Sequence, residues 1–256
     1  MKKTLFTLAV AALSTGIASA TITLDDYTSV TAGVGTVQND QAADGCTGPI
    51  NAVNTGTNIM GSPAAGTRYM NMTRTSGNRC VSATVDQGGV RDDLKFDSEP
   101  NSSGTLFMVG QGASYAWLAG DTGVTFTAQH DLGNTVNATV QIGLRLAGGG
   151  APGGTYVYSA PIAITSVVGQ TFFIPRASFN VGGAINAGTV IDGYGLIIVG
   201  GTASDILLDQ LCVSTGDARA PVSGCGAPPQ NVIPEPSTMA LIGGGLFGLA
   251  LFRRRK

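Results

Sequence analysis

Charge is scarce in this sequence, and so are histidine, lysine and glutamate. Charged residues make up 12% of the 256 residues, about half of the roughly 25% found in ordinary soluble domains. The two glutamates and four lysines are too few for a coiled coil or a helical bundle. The single histidine excludes a zinc site built from several histidines and leaves little for histidine-based catalysis. The net charge of −2 provides no basic surface, so we expect no nucleic-acid partner.

The first twenty residues have the three parts of an export signal. Two lysines follow the first methionine, residues 5–13 are apolar, and Ala18 and Ala20 form an A-x-A pattern. The apolar stretch is too short to span a bilayer, which disfavours the alternative of a retained membrane anchor. We therefore predict a signal peptide over residues 1–20, cut by signal peptidase after Ala20, and a mature chain that begins at Thr21.

The last 23 residues, 234–256, form a second separate segment. Pro234, Glu235 and Pro236 precede an apolar run over residues 239–252, and three arginines and a lysine end the chain. Fourteen helical residues rise about 21 Å, which is less than the roughly 30 Å of the hydrocarbon core. The four terminal cations resist translocation. Such a segment holds a passing chain at the inner membrane for a time, with its body outside.

This order of Pro-Glu-Pro, short apolar helix and arginine cluster resembles the PEP-CTERM sorting signal. In bacteria with an outer membrane, that signal is handled by exosortase, a membrane cysteine protease. The resemblance implies cleavage near Pro234, Glu235 and Pro236, an inner-membrane intermediate, and delivery to the cell surface or to an exopolysaccharide matrix such as a biofilm. A generic tail anchor is the alternative, and the short span together with the motif favours sorting.

The segment between these ends is acidic and contains all four cysteines. Residues 21–233 have a net charge of −7, from eight basic and fifteen acidic side chains. Such a domain is repelled by anionic membranes. An even number of cysteines in an exported chain indicates disulfides rather than metal ligands. Three pairings are possible, and we favour the sequential one, which joins Cys46 to Cys80 and Cys212 to Cys225.

Strands and glycine-rich turns account for nearly all of the predicted secondary structure. Residues 136–146 alternate apolar and polar side chains, which is typical of a strand with one solvated face. The glycine-rich residues 148–154 then turn the chain, and residues 155–159 return as a hairpin. Further strands are predicted over residues 67–73, 80–85, 105–109, 114–118, 124–128, 171–175, 194–199 and 205–213. This pattern predicts an all-β fold, a β-sandwich or jelly roll over residues 21–213, followed by a linker over residues 214–233.

Residues 124–213 resemble the galactose-binding-like jelly rolls that are common among carbohydrate-binding modules. The pattern consists of a long strand, a glycine turn, a tyrosine-rich strand and a closing strand that contains Asp209. Jelly rolls of this kind often hold a structural ion where the first and last strands meet. The resemblance therefore implies a calcium ion, the one cofactor we consider, with Asp25, Asp26 and Asp209 as ligands. The alternative is that Asp25 and Asp26 lie on a solvated edge.

Two aromatic pairs are candidates for stacking on sugar rings. Tyr115 and Trp117 are two positions apart in a predicted strand and share a face, and so are Tyr156 and Tyr158. For Trp117 we favour the core, because large aromatic side chains are usually buried. For Tyr156 and Tyr158, the sequence leaves both a core position and a surface position open.

No pattern in the sequence indicates an enzyme. Glu99 lies in a predicted turn, and His130 and Asp131 are neighbours in a strand, so that their side chains point to opposite faces. We therefore predict a non-enzymatic protein of the cell surface or matrix that is structural or associates weakly with exopolysaccharide. The alternatives are a discrete carbohydrate-binding module and, less favoured, a glycan-active enzyme.

Overall fold

The computed structural model describes residues 22–27, 30–39, 46, 48–57, 59–61, 66–85, 93–130, 138–148 and 152–215. Several predicted functional residues lie outside this part of the chain, namely Ala18, Ala20, Asp131, Cys225, Pro234, Glu235 and Pro236. The predicted signal peptide and the segment after residue 215 also lie outside it. Within the described residues, no helix has the length and apolar character to cross a membrane.

Fifteen strands and one turn of 3₁₀ helix, Arg176–Ser178, form the secondary structure of the described residues. In chain order the strands are β1 (Thr23–Asp25), β2 (Ala32–Gly33), β3 (Thr36–Asn39), β4 (Asn51–Gly56), β5 (Gly66–Ser76), β6 (Val81–Val85), β7 (Leu94–Ser98), β8 (Ser103–Ala116), β9 (Asp121–His130), β10 (Ala138–Leu146), β11 (Tyr156–Tyr158), β12 (Ile162–Ile164), β13 (Gln170–Pro175), β14 (Val190–Gly200) and β15 (Asp205–Thr215).

The strands pair into two antiparallel sheets that form a sandwich. The seven-stranded sheet has the order β13-β9-β15-β7-β6-β3, with β1 beside β15. The eight-stranded sheet has the order β11-β10-β14-β8-β5-β4-β2, with β12 beside β10. From β8 to β10, and again from β13 to β15, consecutive strands alternate between the sheets, as in a jelly roll. The predicted all-β sandwich is confirmed.

The alternation that predicted the long strand is present in β10, but one end of its outer face is covered. Val140 and Ile142 point into the core, and Thr139 and Gln141 are half-exposed. The predicted hairpin is confirmed by the antiparallel pairing of β10 with β11. Towards the end of β10 the outward residues Gly143 and Arg145 are also buried, contrary to a fully solvated face. The tyrosines of β11 and the turn before them cause this burial, as described below.

The core lies between the inner faces of the two sheets. Phe96 of the seven-stranded sheet packs so closely on Gly200 that a β-carbon there would lie 2.1 Å from the Phe96 ring. Phe126 and Phe172 stack with ring centroids 5.1 Å apart. A side chain at position 200 would therefore displace a fully buried ring, which explains the glycine in this strand.

One of the two predicted disulfides is confirmed. Cys46 is bonded to Cys80, which fastens the segment before β4 to the start of β6. Cys212 is buried in β15 and is also in a disulfide. Cys225 lies outside the described residues, so its pairing with Cys212 stays a prediction.

Candidate functional site

The tyrosine pair predicted as a stacking platform lies on the outer face of the eight-stranded sheet. The rings of Tyr156 and Tyr158 stack with centroids 5.6 Å apart and an interplanar angle of 25°. Both side chains are half-exposed, and we call this pair the tyrosine platform. The Tyr156 ring also meets the ring of Phe107 edge-on, at 6.4 Å.

Glycines beneath the rings allow them to lie close to the sheet. A β-carbon at Gly143 would lie 2.5 Å from the Tyr158 ring, and one at Gly195 would lie 3.1 Å from the Tyr156 ring. Both positions are in the middle of long strands, where glycine otherwise weakens a strand. The glycines therefore make room for aromatic rings that pack on the sheet and still expose part of their surface.

The platform continues into a row of outward-facing positions that crosses six strands, in which Gly143, Gly195 and Val109 are buried and the other three side chains are at least partly exposed. Tyr158 is in register with Gly143 and Gly195, and the row goes on through Val109, Tyr69 and Val53. Five strand spacings of about 4.8 Å make this row about 24 Å long. A neighbouring row runs through Gln141, Ile197, Phe107, Asn71 and Asn51 in that order. It contributes three side-chain amides to this face. We call these two rows and Tyr156 the platform face.

A buried ion pair borders the platform face and fixes the turn before Tyr156. The Arg145 guanidinium donates to Asp192 at 2.5 Å and to the Gly153 carbonyl at 2.9 Å. The Tyr156 hydroxyl donates to the Pro152 carbonyl at 2.8 Å, which holds the same turn. Burial raises the pKa of Tyr156 to about 12, although the neighbouring Arg145 lowers it. At neutral pH the platform is therefore uncharged.

In the second aromatic pair, Trp117 is not available for stacking. Trp117 is 1% exposed, and its ring N–H donates to the Asp121 carbonyl, which confirms its core position. The Tyr115 hydroxyl donates to the Asp121 carboxylate at 2.5 Å. Burial and this carboxylate raise the pKa of Tyr115. Both aromatic side chains thus hold the turn between β8 and β9, and the structure removes Trp117 from the predicted sugar-binding residues.

A charged cluster that the sequence did not predict lies inside the sandwich. Arg68 and Asp25 are both fully buried, and the Arg68 guanidinium donates to both carboxylate oxygens, at 2.7 and 2.6 Å. The Tyr194 hydroxyl also donates to Asp25. Burial alone lowers the pKa of Arg68, but the Asp25 carboxylate more than offsets this and raises it. Burial and the same carboxylate raise the pKa of Tyr194, so this tyrosine stays protonated and acts as a donor.

Asp25 ends β1 and Asp26 follows it, and Asp209 lies in β15, the strand with which β1 pairs. As the resemblance implied, the first and last strands pair, with Asp25 in register with Leu211. The solvated-edge alternative is wrong, because Asp25 is fully buried and Asp26 is 7% exposed. Arg68 already neutralises the Asp25 carboxylate. In the described part of the chain, no group of three or more acidic, histidine or cysteine side chains has the arrangement of a metal site.

Calcium would have to displace this arginine to use Asp25 as a ligand. We therefore propose that Asp25, Asp26 and Asp209 hold no calcium ion, and that the resemblance does not extend to this property. Calorimetry of the mature chain with calcium chloride should give no binding heat and an unchanged melting temperature. Calcium binding by the wild-type chain that disappears in Asp26→Asn and Asp209→Asn variants would contradict this proposal.

Glu99 and His130 lie in ordinary structural positions. Glu99 is exposed in the turn between β7 and β8, as predicted, and its backbone N–H donates to the Cys80 carbonyl. His130 is fully buried at the end of β9.

The comparisons with known proteins cover the two parts of the chain separately. No curated protein matches the chain in sequence. The family 11 carbohydrate-binding module of cellulase Lic26A-Cel5E of Clostridium thermocellum aligns with 77% of this chain and 95% of its own, at 10% identity and a TM-score of 0.40. The module TmCBM61, solved with β-1,4-galactotriose, aligns with 57% of this chain and 88% of its own, at 12% identity and a TM-score of 0.32. The strand order of the two sheets defines the fold. Residues 232–256 match the family model of the PEP-CTERM protein-sorting motif, so the C-terminal segment that the sequence singled out is a sorting motif.

Proposed function

We propose that this chain is an exported, non-enzymatic protein of the cell surface or exopolysaccharide matrix. The sorting motif over residues 232–256 is the observation that carries this proposal. Exosortase removes the motif at the inner membrane, after signal peptidase has removed residues 1–20. The sandwich is the part that remains and works outside the cell.

We further propose that the platform face contacts polysaccharide. Tyrosine rings offer apolar faces for the C–H groups of sugars, and the amides of Gln141, Asn71 and Asn51 offer donors and acceptors beside them. The Arg145 side chain lies next to this face and is paired with Asp192. The chemistry of the face therefore suits a neutral sugar chain better than an acidic one.

The platform tyrosines lie half-exposed on the outer face of the sheet, and this open position makes the contact weak. A ligand lying on an open sheet leaves much of its surface in water, whereas a pocket buries 70–90% of a small ligand, by the usual figures. We expect a dissociation constant on the order of 1 mM for a neutral oligosaccharide, which corresponds to about 4 kcal/mol. Many such contacts along one polysaccharide would hold the protein in a matrix.

Substitution of the platform tyrosines tests this contact. Tyr156→Ala and Tyr158→Ala should each weaken binding of the mature chain to neutral polysaccharide by about tenfold, or about 1.4 kcal/mol. A glycan array followed by affinity electrophoresis measures the loss. Phe173→Ala is the matched control, because the Phe173 ring packs over Gly123 on the other sheet in the same way.

The outcomes of these binding measurements distinguish a matrix protein from a discrete carbohydrate-binding module and from a glycan-active enzyme. Weak binding that is lost in both tyrosine variants and kept in Phe173→Ala supports the proposal. Tight, saturable binding to one oligosaccharide would identify a discrete carbohydrate-binding module instead. Equal binding by all variants would exclude the platform face, and turnover of a polysaccharide would exclude a non-enzymatic protein.

A further inference from the structure

The seven-stranded sheet ends on one side in β13, whose outer edge is covered by none of the described strands. β13 extends over six residues, Gln170–Pro175, and is paired with β9 along its other edge. Gly169, Thr171 and Pro175 are exposed along it. An uncovered strand edge presents a row of unpaired backbone N–H and C=O groups, which is a template for another strand. This edge is therefore a candidate interaction surface.

The other sheet edges are short or already covered. At the opposite side of the same sheet, the Gln38 N–H of β3 donates to the Pro49 carbonyl at 2.9 Å, and the Gly48 N–H donates to the Gln38 side chain at 2.7 Å. In the eight-stranded sheet, β2 has two residues, and β11 and β12 have three each. Natural sheets protect their edges by short strands, by cover or by charged side chains. β13 has no charged residue, and its one proline, Pro175, is at its end.

Hydrogen bonding shows which backbone groups of β13 point away from the sheet. The His130 N–H, at the end of β9, donates to the Ser166 carbonyl in the segment that leads into β13. Backbone groups alternate in direction along a strand, so the even-numbered residues of β9 bond the even-numbered residues of β13, with which they are in register. The odd-numbered residues of β13 therefore direct their N–H and C=O groups outward. Pro175, which lacks an N–H, belongs to this set, as expected for a proline on an edge strand.

We propose that β13 pairs with β13 of a second copy of this chain, antiparallel about a two-fold axis. The register places Phe172 directly opposite Phe172 of the second copy. Thr171 then exchanges both of its N–H···O=C bonds with Phe173 of the second copy, and the Gly169 N–H donates to the Pro175 carbonyl. Such a contact uses the same surface on both copies and is complete with two of them. It joins the two seven-stranded sheets into one.

The position of Phe172 favours a second copy over a different partner. Its ring packs at the rim of the core, is partly exposed, and stacks on Phe126 with centroids 5.1 Å apart. Directly opposite residues of an antiparallel pair point to the same face, with β-carbons about 4.5–5.5 Å apart. The two Phe172 rings would therefore cover each other. The stack of Phe126 on Phe172 would continue from one sandwich into the next.

The charge distribution allows this contact in an acidic protein. Residues 21–233 have a net charge of −7, from eight basic and fifteen acidic side chains, so two copies repel each other overall. Residues 146–191, which include β13, contain no acidic residue and one basic residue, Arg176. In the proposed register, each Arg176 lies opposite Val168 of the other copy, so the two arginines are at opposite ends of the strand pair. Two copies therefore meet at this edge without opposing like charges.

The pairing leaves the platform face free, because β13 belongs to the other sheet. A dimer would carry two platform faces. If those faces contact polysaccharide as proposed above, two linked weak contacts hold the protein in a matrix more firmly than one.

Light scattering of the full chain in detergent micelles, with the protein mass separated from the detergent mass, tests the pairing. The wild-type chain should form a dimer whose share increases with concentration. Thr171→Pro removes an outward N–H and takes no bond from β9, and it should weaken dimerisation by roughly tenfold. Thr171→Ala is the matched control, because it keeps the N–H and should dimerise like the wild-type chain. Circular dichroism shows that each variant is folded.

Cysteine cross-linking tests the register. Phe172→Cys places two cysteines directly opposite each other, with α-carbons about 4.5 Å apart, which is within the range of a disulfide. Thr171→Cys is the control, because its two cysteines lie diagonally, at roughly 9 Å, beyond that range. On non-reducing electrophoresis after mild oxidation, Phe172→Cys should give a covalent dimer, and Thr171→Cys should stay a monomer.

Three outcomes would overturn the proposal. The first is a wild-type chain that stays monomeric at every concentration. The second is a Thr171→Pro dimer as stable as that of the wild-type chain, since the contact would then lie on another surface. The third is equal cross-linking by the two cysteine variants, since the register would then differ. None of these measurements includes polysaccharide, so their result is independent of what the platform face binds.

Discussion

Asp25→Ala should lower the free energy of unfolding by about 3–5 kcal/mol, the usual cost of leaving one partner of a buried ion pair alone. Arg68 has no access to water, and its guanidinium would lose both of its bonds to this carboxylate. Tyr194 would lose its acceptor at the same time. Urea denaturation of the mature chain, followed by Trp117 fluorescence, measures the change in the midpoint.

Two comparison variants identify the buried charge as the cause of this loss. The double variant Asp25→Leu/Arg68→Met replaces the pair by apolar side chains and should recover most of the stability, because buried pairs are often no better than such replacements. Asp97→Ala breaks the Lys95–Asp97 pair, whose side chains are 39% and 33% exposed. This variant should lower the free energy of unfolding by at most about 1 kcal/mol. A loss for Asp25→Ala no larger than for Asp97→Ala would contradict the account of the core.

Replacing Cys46 and Cys80 by serine should lower the free energy of unfolding by about 3.8 kcal/mol. The two cysteines are 34 positions apart, and the loop-closure entropy of the unfolded chain sets this figure. The bond fastens the segment before β4 to the start of β6, and thus joins an otherwise long loop to the seven-stranded sheet. Thermal and urea unfolding of the double variant, without reductant, measure the loss.

Cys212→Ser is the natural comparison for this disulfide. If Cys212 pairs with Cys225, it closes a loop of 13 positions, for which the same relation gives about 2.9 kcal/mol. The Cys46/Cys80 variant should therefore be the less stable of the two. Unchanged stability of that variant would show that the disulfide contributes nothing to this fold.

The long strands were predictable because their signal is local. The strict alternation in β10 and the glycine-rich turn after it predicted the hairpin with β11. Six short strands, β1 to β4, β7 and β12, were not predicted: β7, for example, has only Leu94 and Phe96 as inward apolar residues. Its partner strands β6 and β15 supply the pairing that so short a pattern cannot indicate.

The charged core cluster was beyond sequence reasoning for a different reason. Arg68 is 43 positions from Asp25, and Tyr194 is 169 positions from it. No local spacing relates such residues. Asp25 belongs to the seven-stranded sheet and Arg68 and Tyr194 to the eight-stranded sheet, so only the packing of the two sheets brings them together. The platform face is an intermediate case: Tyr156 and Tyr158 were predicted, Tyr69 was not, and the mid-strand glycines Gly143 and Gly195 were a readable signal of close ring packing.

Mass spectrometry of the intact mature protein, recovered from separate inner-membrane and surface or matrix fractions of the producing cells, tests the central claim most directly. The account predicts a chain in the surface or matrix fraction that begins at Thr21, ends near Pro234 and lacks residues 239–256. A full-length C-terminus, with its arginines, found permanently in the inner-membrane fraction would contradict it.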